Sequence, residues 1–168
     1  MPRRQSKDVI LALDLSSSST GFAVLRKGRW NKSGASYGLI KISPKLSLAE
    51  RLVKLRDELT KLIKTVKPTF IVIEDVFKGR NIKTMKLLAR FNGVAIELSR
   101  RLIKKDPMVV LAAEVRSYLE CGRKKEEAFE YVCNRYNLDW KFSKMNDVAD
   151  AVCLALYAHG KLKEKDEK

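Results

Sequence analysis

Four acidic residues stand where an apolar segment closes or where a nearly all-apolar one is interrupted: Asp14, Glu74, Asp147 and Asp150. Asp14 falls near the end of DVILALDL (8–15) and Glu74 ends TFIVIE (69–74), both apolar runs of strand length. A strand end suits a reactive side chain, because the backbone beneath it is rigid while the side chain can reach solvent. Taken singly, each of these two acids reads equally well as an ordinary solvated carboxylate. Asp147 and Asp150 are three residues apart among Val148, Ala149, Ala151, Val152, Leu154 and Ala155. That spacing puts both on one helical face, at the first turn of a helix capped by Asn146. Service to the helix dipole accounts for Asp147. It accounts less well for Asp150, whose apolar neighbours withdraw it from water at a cost that a cation would offset.

If these segments converge, four carboxylates share one small space and repel each other, so they require protonation or bound metal. Oxygen donors without Cys or His select Mg2+, with Mn2+ able to substitute. Two such ions per site could bridge a phosphodiester, one activating the attacking water and the other neutralising the leaving oxygen. The bulk charge fits this chemistry, since Lys and Arg number 35 against 20 Asp and Glu. Such a surplus draws a protein towards polyanions, nucleic acid first. No stretch reaches membrane-spanning length, and neither a membrane partner nor a signal peptide is expected. Cys121, Cys133 and Cys153 include no C-x-x-C pair, which argues against zinc and suits a reducing, cytoplasmic setting. His159 is the one histidine and precedes Gly160 at an expected helix end, as a solvated residue rather than a base.

The elements that must position the acids follow from periodicity. Residues 8–15 and 21–25 read as a hairpin around a Ser-rich turn, and 33–42 (SGASYGLIKI) as a third strand. Ser47 and Glu50 form a capping box before a stripe of Leu48, Leu52, Leu55, Leu59, Leu62 and Val66, a helix that Pro68 ends. A buried strand over 69–74, a loop over 75–81 and a long helix over 82–103 come next, with Gly93 implying a close neighbour. A strand over 108–112, a helix over 124–136 and the closing helix from Asp147 to about His159 complete the chain. This is an α/β domain with a mixed five-stranded sheet, its first three strands antiparallel, flanked by helices. One domain fills residues 1–168, with 1–7 and 161–168 expected as flexible charged tails.

The order and setting of the acids resemble those of the RuvC-type Holliday junction resolvases of the ribonuclease H-like superfamily, over roughly Val9 to Leu156. The resemblance rests on LALDLSSSSTGFAVL with Gly21 seven residues after Asp14, on IEDVFKGRN followed by KTMKLLARFNGVAIEL, and on NDVADAVCLAL. It implies a homodimeric DNA endonuclease that cuts four-way junctions by paired symmetric nicks, with Asp14, Glu74, Asp147 and Asp150 as catalytic metal ligands. Phe77 would stack on bases opened at the junction centre, and Arg116, Arg123, Lys124 and Lys125 would hold the scissile strand. Lys78, Arg80, Lys83, Lys86 and Arg90 would line the approach, and the Gly93 helix would form the dimer interface. Leu15 and Ser16 follow the first acid where the family often has Pro-Gly, which leaves substrate preference open. No helicase partner can be traced. An RNA-processing nuclease of the same fold and a non-catalytic branched-DNA binder are the alternatives. The Ser-rich hairpin also resembles that of sugar-kinase and actin-like ATPases, which need a second lobe that this length does not supply.

Overall fold

The computed structural model describes residues 8–76 and 81–167. Its strands are β1 (Val9–Leu15), β2 (Ser19–Arg26), β3 (Arg29–Trp30), β4 (Tyr37–Lys41), β5 (Phe70–Glu74) and β6 (Met108–Val110). Its helices are α1 (Leu48–Val66), α2 (Ile82–Ile103), α3 (Ala112–Leu119), α4 (Lys125–Tyr136) and α5 (Phe142–Asp166). The sheet runs β3-β2-β1-β5-β6, with β4 also paired to β2. β1, β2 and the β3/β4 edge are antiparallel, whereas β1, β5 and β6 are parallel. The strand expected over 33–42 is β4 over 37–41, and a short strand that was not expected, β3 at 29–30, pairs with the same side of β2 farther along it. Residues between them leave the ladder, pinned where the Ser36 carbonyl accepts from the Val24 amide at 2.8 Å and the Trp30 indole at 3.2 Å.

Strand periodicity divides the core in two. Leu11, Leu13, Leu15, Ile71 and Ile73 face α1 and α2, while Ile10, Ala12, Val72 and Val110 face α3, α4 and α5. By the same alternation Asp14 and Glu74 lie on the α5 face, each one position beyond a pair of residues in register, Leu13 and Ile73. α1 begins at the expected capping box, with Ser47 Oγ accepting from the Glu50 amide and Glu50 Oε2 from the Ser47 amide. α2 spans the expected 82–103.

Three boundaries differ from expectation. The strand over 108–112 stops at Val110, and Ala112 starts α3, an eight-residue helix too short to show a clear apolar stripe. α5 starts at Phe142, so Asn146 lies inside it and donates to the Phe142 carbonyl rather than capping, and Asp147 sits beyond the first turn. The early start is a packing effect, with the Phe142 ring edge-on to Phe129 of α4 at 5.3 Å. α5 also continues to Asp166, so 161–166 are helical where a tail was expected. Contacts with α3 hold that extension, Tyr118 Oη donating to Glu164 at 2.9 Å and the Lys161 ammonium lying 4.6 Å from the Tyr118 ring centre. His159 is consequently mid-helix and half-buried beside Gly28, at the end of the sheet away from the acids, and burial lowers its basicity. Residues 1–7 and Lys168 lie outside the described residues.

Candidate active site

β1 and β5 deliver Asp14 and Glu74 to one end of the sheet, and α5 lays Asp147 and Asp150 across the same end. The crossing is close because α5 is lined with small residues, Ala149, Ala151, Ala155 and Ala158 all being buried. Gly21, paired with Asp14 in the β1–β2 ladder, is the tightest point of it. A Cβ built on Gly21 would stand 2.2 Å from the Asp147 carbonyl oxygen, so no other residue lets the helix approach this far.

The Lys125 ammonium, from the start of α4, is the hub of the cluster. It lies 2.9 Å from Asp150 Oδ2, 3.2 Å from Asp147 Oδ1 and 3.9 Å from Asp14 Oδ2. Arg116 of α3 approaches Asp150 Oδ1 at 4.0 Å and donates to the Arg123 carbonyl at 3.2 Å. Glu74, Arg116 and Asp150 line a common crevice with Ala112, Val115, Ala128, Cys153 and Leu154. Ser19 Oγ donates to Asp147 Oδ2 at 2.5 Å.

Burial, then the charges of Glu74 and Asp150, push the Asp14 carboxyl well above the usual aspartate range, against the pull of Lys125. Burial also raises Asp150, with Lys125 and Arg116 opposing it. Burial pulls on Lys125 in the other direction, but the combined attraction of Asp14, Asp150 and Asp147 outweighs it and fixes the ammonium as a cation. Asp14 Oδ2 is buried without a hydrogen-bond partner. The ammonium at 3.9 Å is too distant to supply one.

Among the described residues no three acidic, cysteine or histidine side chains form a ready-made metal cage, since Lys125 is the cation between them. The donors nevertheless fit a hard divalent ion. They are carboxylate oxygens only, carry more negative charge than Lys125 and Arg116 offset, and include one buried oxygen that nothing satisfies. Among the described residues the crevice beside the acids is small. Two larger clefts, of about 620 and 650 Å3, lie at the C-termini of α1 and α2 and at the β3 edge, and neither is lined by an acid.

The remaining expected residues divide by position. Arg123 and Lys124 are exposed beside Lys125, their amides bound by Glu127 Oε2 at 2.7 Å each. Lys83, Lys86 and Arg90 are exposed on the first turns of α2, which leaves the sheet at the active-site end. Phe77, Lys78 and Arg80 lie outside the described residues. Two features were not read from the sequence: the insertion of Lys125 among the acids, and the contact of Ser19 with Asp147. Only the run of serines after Asp14 hinted at the second.

A mixed sheet with helices on both faces and carboxylates gathered from β1, β5 and the last helix defines an α/β protein of the ribonuclease H-like class. Comparison with known proteins narrows this. The family described as Crossover junction endodeoxyribonuclease RuvC matches residues 10–159, and the chain belongs to that family. A relative of the same description from Dictyoglomus turgidum is 28% identical over 88% of this chain and 94% of its own length. One from Chlorobium phaeovibrioides is 32% identical over 88% of this chain and 79% of its own. Among solved structures, Thermus thermophilus RuvC superposes with a TM-score of 0.74 at 17% identity, over 94% of this chain and 96% of that one. The same protein in complex with a Holliday junction substrate gives 0.75 at 16% identity, with the same coverage.

Proposed function

We propose that the chain is a metal-dependent, structure-selective DNA endonuclease that resolves four-way junctions by paired symmetric nicks. The observation that carries this reading is the convergence of Asp14, Asp147 and Asp150 on one ammonium, with Glu74 alongside and Asp14 Oδ2 buried and unsatisfied. Four carboxylates collected from three distant segments are unstable together unless positive charge joins them.

Asp14, Glu74, Asp147 and Asp150 would hold two Mg2+ ions, or Mn2+ in their place, which supply an activated water and neutralise the leaving 3′-oxygen, giving 3′-hydroxyl and 5′-phosphate ends. Gly21 and the small residues of α5 keep the acids in register with the sheet. Lys125 holds positive charge where a scissile phosphate would gather negative charge, and Arg116 restrains Asp150 from the α3 side. Arg123, Lys124, Lys83, Lys86 and Arg90 flank the same end and would track the strand through its phosphates. Phe77 would stack on an opened base.

Symmetric nicking calls for a two-fold assembly. The outer face of α2 suits one. Ile82 and Ile96 are exposed on it, 65% and 39%, and among the described residues nothing beyond the helix's own backbone lies within 4 Å of a Cβ built on Gly93. The close neighbour that Gly93 implied is thus not found among the described residues. The setting proposed is the reducing cytoplasm, in keeping with three free cysteines.

The test is incubation of an end-labelled four-way junction with Mg2+ and the purified chain, beside a single-stranded RNA and a linear duplex. Selective cutting at symmetric positions is expected. Cleavage that persists unchanged in both Asp14→Asn and Asp150→Asn would remove the acid cluster from the mechanism, and a monomer with DNA bound would remove the paired nick.

A further inference from the structure

The serines after Asp14 form a built loop rather than a loose turn. Ser16 N–H donates to the Ser19 carbonyl at 3.0 Å, Ser19 N–H to Ser16 Oγ at 3.2 Å, and the Ser16 hydroxyl back to the Ser19 carbonyl. Outside the loop, the Arg51 guanidinium of α1 donates to the Ser17 carbonyl and the Ile42 amide to that of Ser18 at 2.9 Å. The backbone is therefore held from two sides. The Ser16 hydroxyl is engaged within the loop, and the Ser19 hydroxyl crosses to α5 to donate to Asp147 Oδ2 at 2.5 Å.

Asp147 is thus gripped at both oxygens, Oδ2 by a neutral hydroxyl and Oδ1 by the Lys125 ammonium at 3.2 Å. A hydroxyl that donates to one oxygen fixes the carboxylate plane and leaves the other to face the cation position. We infer that Ser19 is a positioning residue that orients Asp147 as a one-oxygen ligand for a divalent cation. The inference rests on the acid cluster being a metal site.

The test measures Mn2+ binding to the full-length chain without DNA, by calorimetry and by the loss of free-ion electron paramagnetic resonance signal. Ser19→Ala is expected to weaken Mn2+ binding about tenfold, the scale usual for loss of a group that orients a metal ligand. It should also raise the Mg2+ concentration for half-maximal junction cleavage by about the same factor, with the rate at saturating Mg2+ largely recovered. Ser19→Thr keeps the hydroxyl on a strand-compatible side chain and should restore both. Ser18→Ala, at an exposed serine of the same loop, is the control for changes in the loop itself. Wild-type Mn2+ affinity in Ser19→Ala beside weakened binding in Asp147→Asn would overturn the positioning role while leaving the metal site intact. Unchanged binding in both would overturn the metal reading and this inference with it. Weakened binding in Ser19→Ala that Ser19→Thr fails to restore, or that Ser18→Ala reproduces, would show a loop effect and also overturn it.

Discussion

The two faces of the sheet are built to different standards. On one, α1 and α2 bury Leu55, Leu59, Ile63, Phe91 and Leu98 against Leu11, Leu13, Ile71 and Ile73. These are large apolar side chains on amphipathic helices, the arrangement that contributes most to stability per residue. The other face has an apolar core of its own, including Leu25, Trp30, Phe129, Val132 and Leu154, but it brings α5 in through alanines and a glycine contact and buries Asp14 and Asp150, both 6% exposed, with Lys125 between them. Small residues give up apolar area in return for proximity, and buried like charges oppose folding. The acid-bearing face therefore carries a local cost of assembling its charged cluster that the opposite face does not.

The comparison can be broken most severely at the acids. Asp150→Asn or Asp14→Asn should lower single-turnover junction cleavage by about a thousandfold or more, equivalent to roughly 4 kcal/mol of transition-state stabilisation. Neither should unfold the protein, which circular dichroism would check. A mutation on the opposite face should do the reverse. Leu59→Ala is expected to cost about 2–5 kcal/mol in a denaturant titration, while cleavage per folded molecule stays within about twofold because Leu59 shares no contact with the acids. Equal damage to both properties would show that the faces are not independent.

Gly21→Ala tests the seam where the two requirements meet. The added methyl must displace the Asp147 backbone, so stability should fall by about 1–3 kcal/mol, and cleavage should fall with it. The smallest effect expected is a gain. Removing the buried charge in Asp14→Asn should stabilise the fold by about 0.5–2 kcal/mol at neutral pH in metal-free buffer. The sign follows from the raised folded-state pKa of Asp14. The folded wild type binds that proton more tightly than the unfolded chain, so its stability rises as pH falls through the folded value. The advantage of the Asp14→Asn variant should therefore shrink in acid, and thermal melts across that range would show a constant difference if Asp14 were solvated.

Elements with strong local signals were legible in the sequence. α1 was marked by its capping box and leucine stripe, α2 by its length, and β1 and β5 by unbroken apolar runs. The elements misread were those settled by partners. α3 is short and its stripe weak, the start of α5 depends on Phe129, and its extension to Asp166 depends on Tyr118. The third strand, expected over 33–42, begins only at Tyr37, and β3 at 29–30 was not read at all, its two residues being too few to show a period.

The acids themselves divide along the same line. Residue type, order and setting were enough to single out Asp14, Glu74, Asp147 and Asp150, because apolar runs that close on an acid and oxygen donors without Cys or His are local facts. Their meeting was not a local fact. Only the parallel pairing of β1 with β5, the alternation that turns Asp14 and Glu74 to one face, and the glycine that admits α5 gather them at one sheet end, with Asp14, Asp147 and Asp150 around Lys125 and Asp147 on Ser19. Spacing along a chain fixes which side chains share a face of one element, whereas contact across 128 residues, as between Ser19 and Asp147, is decided by packing of the whole.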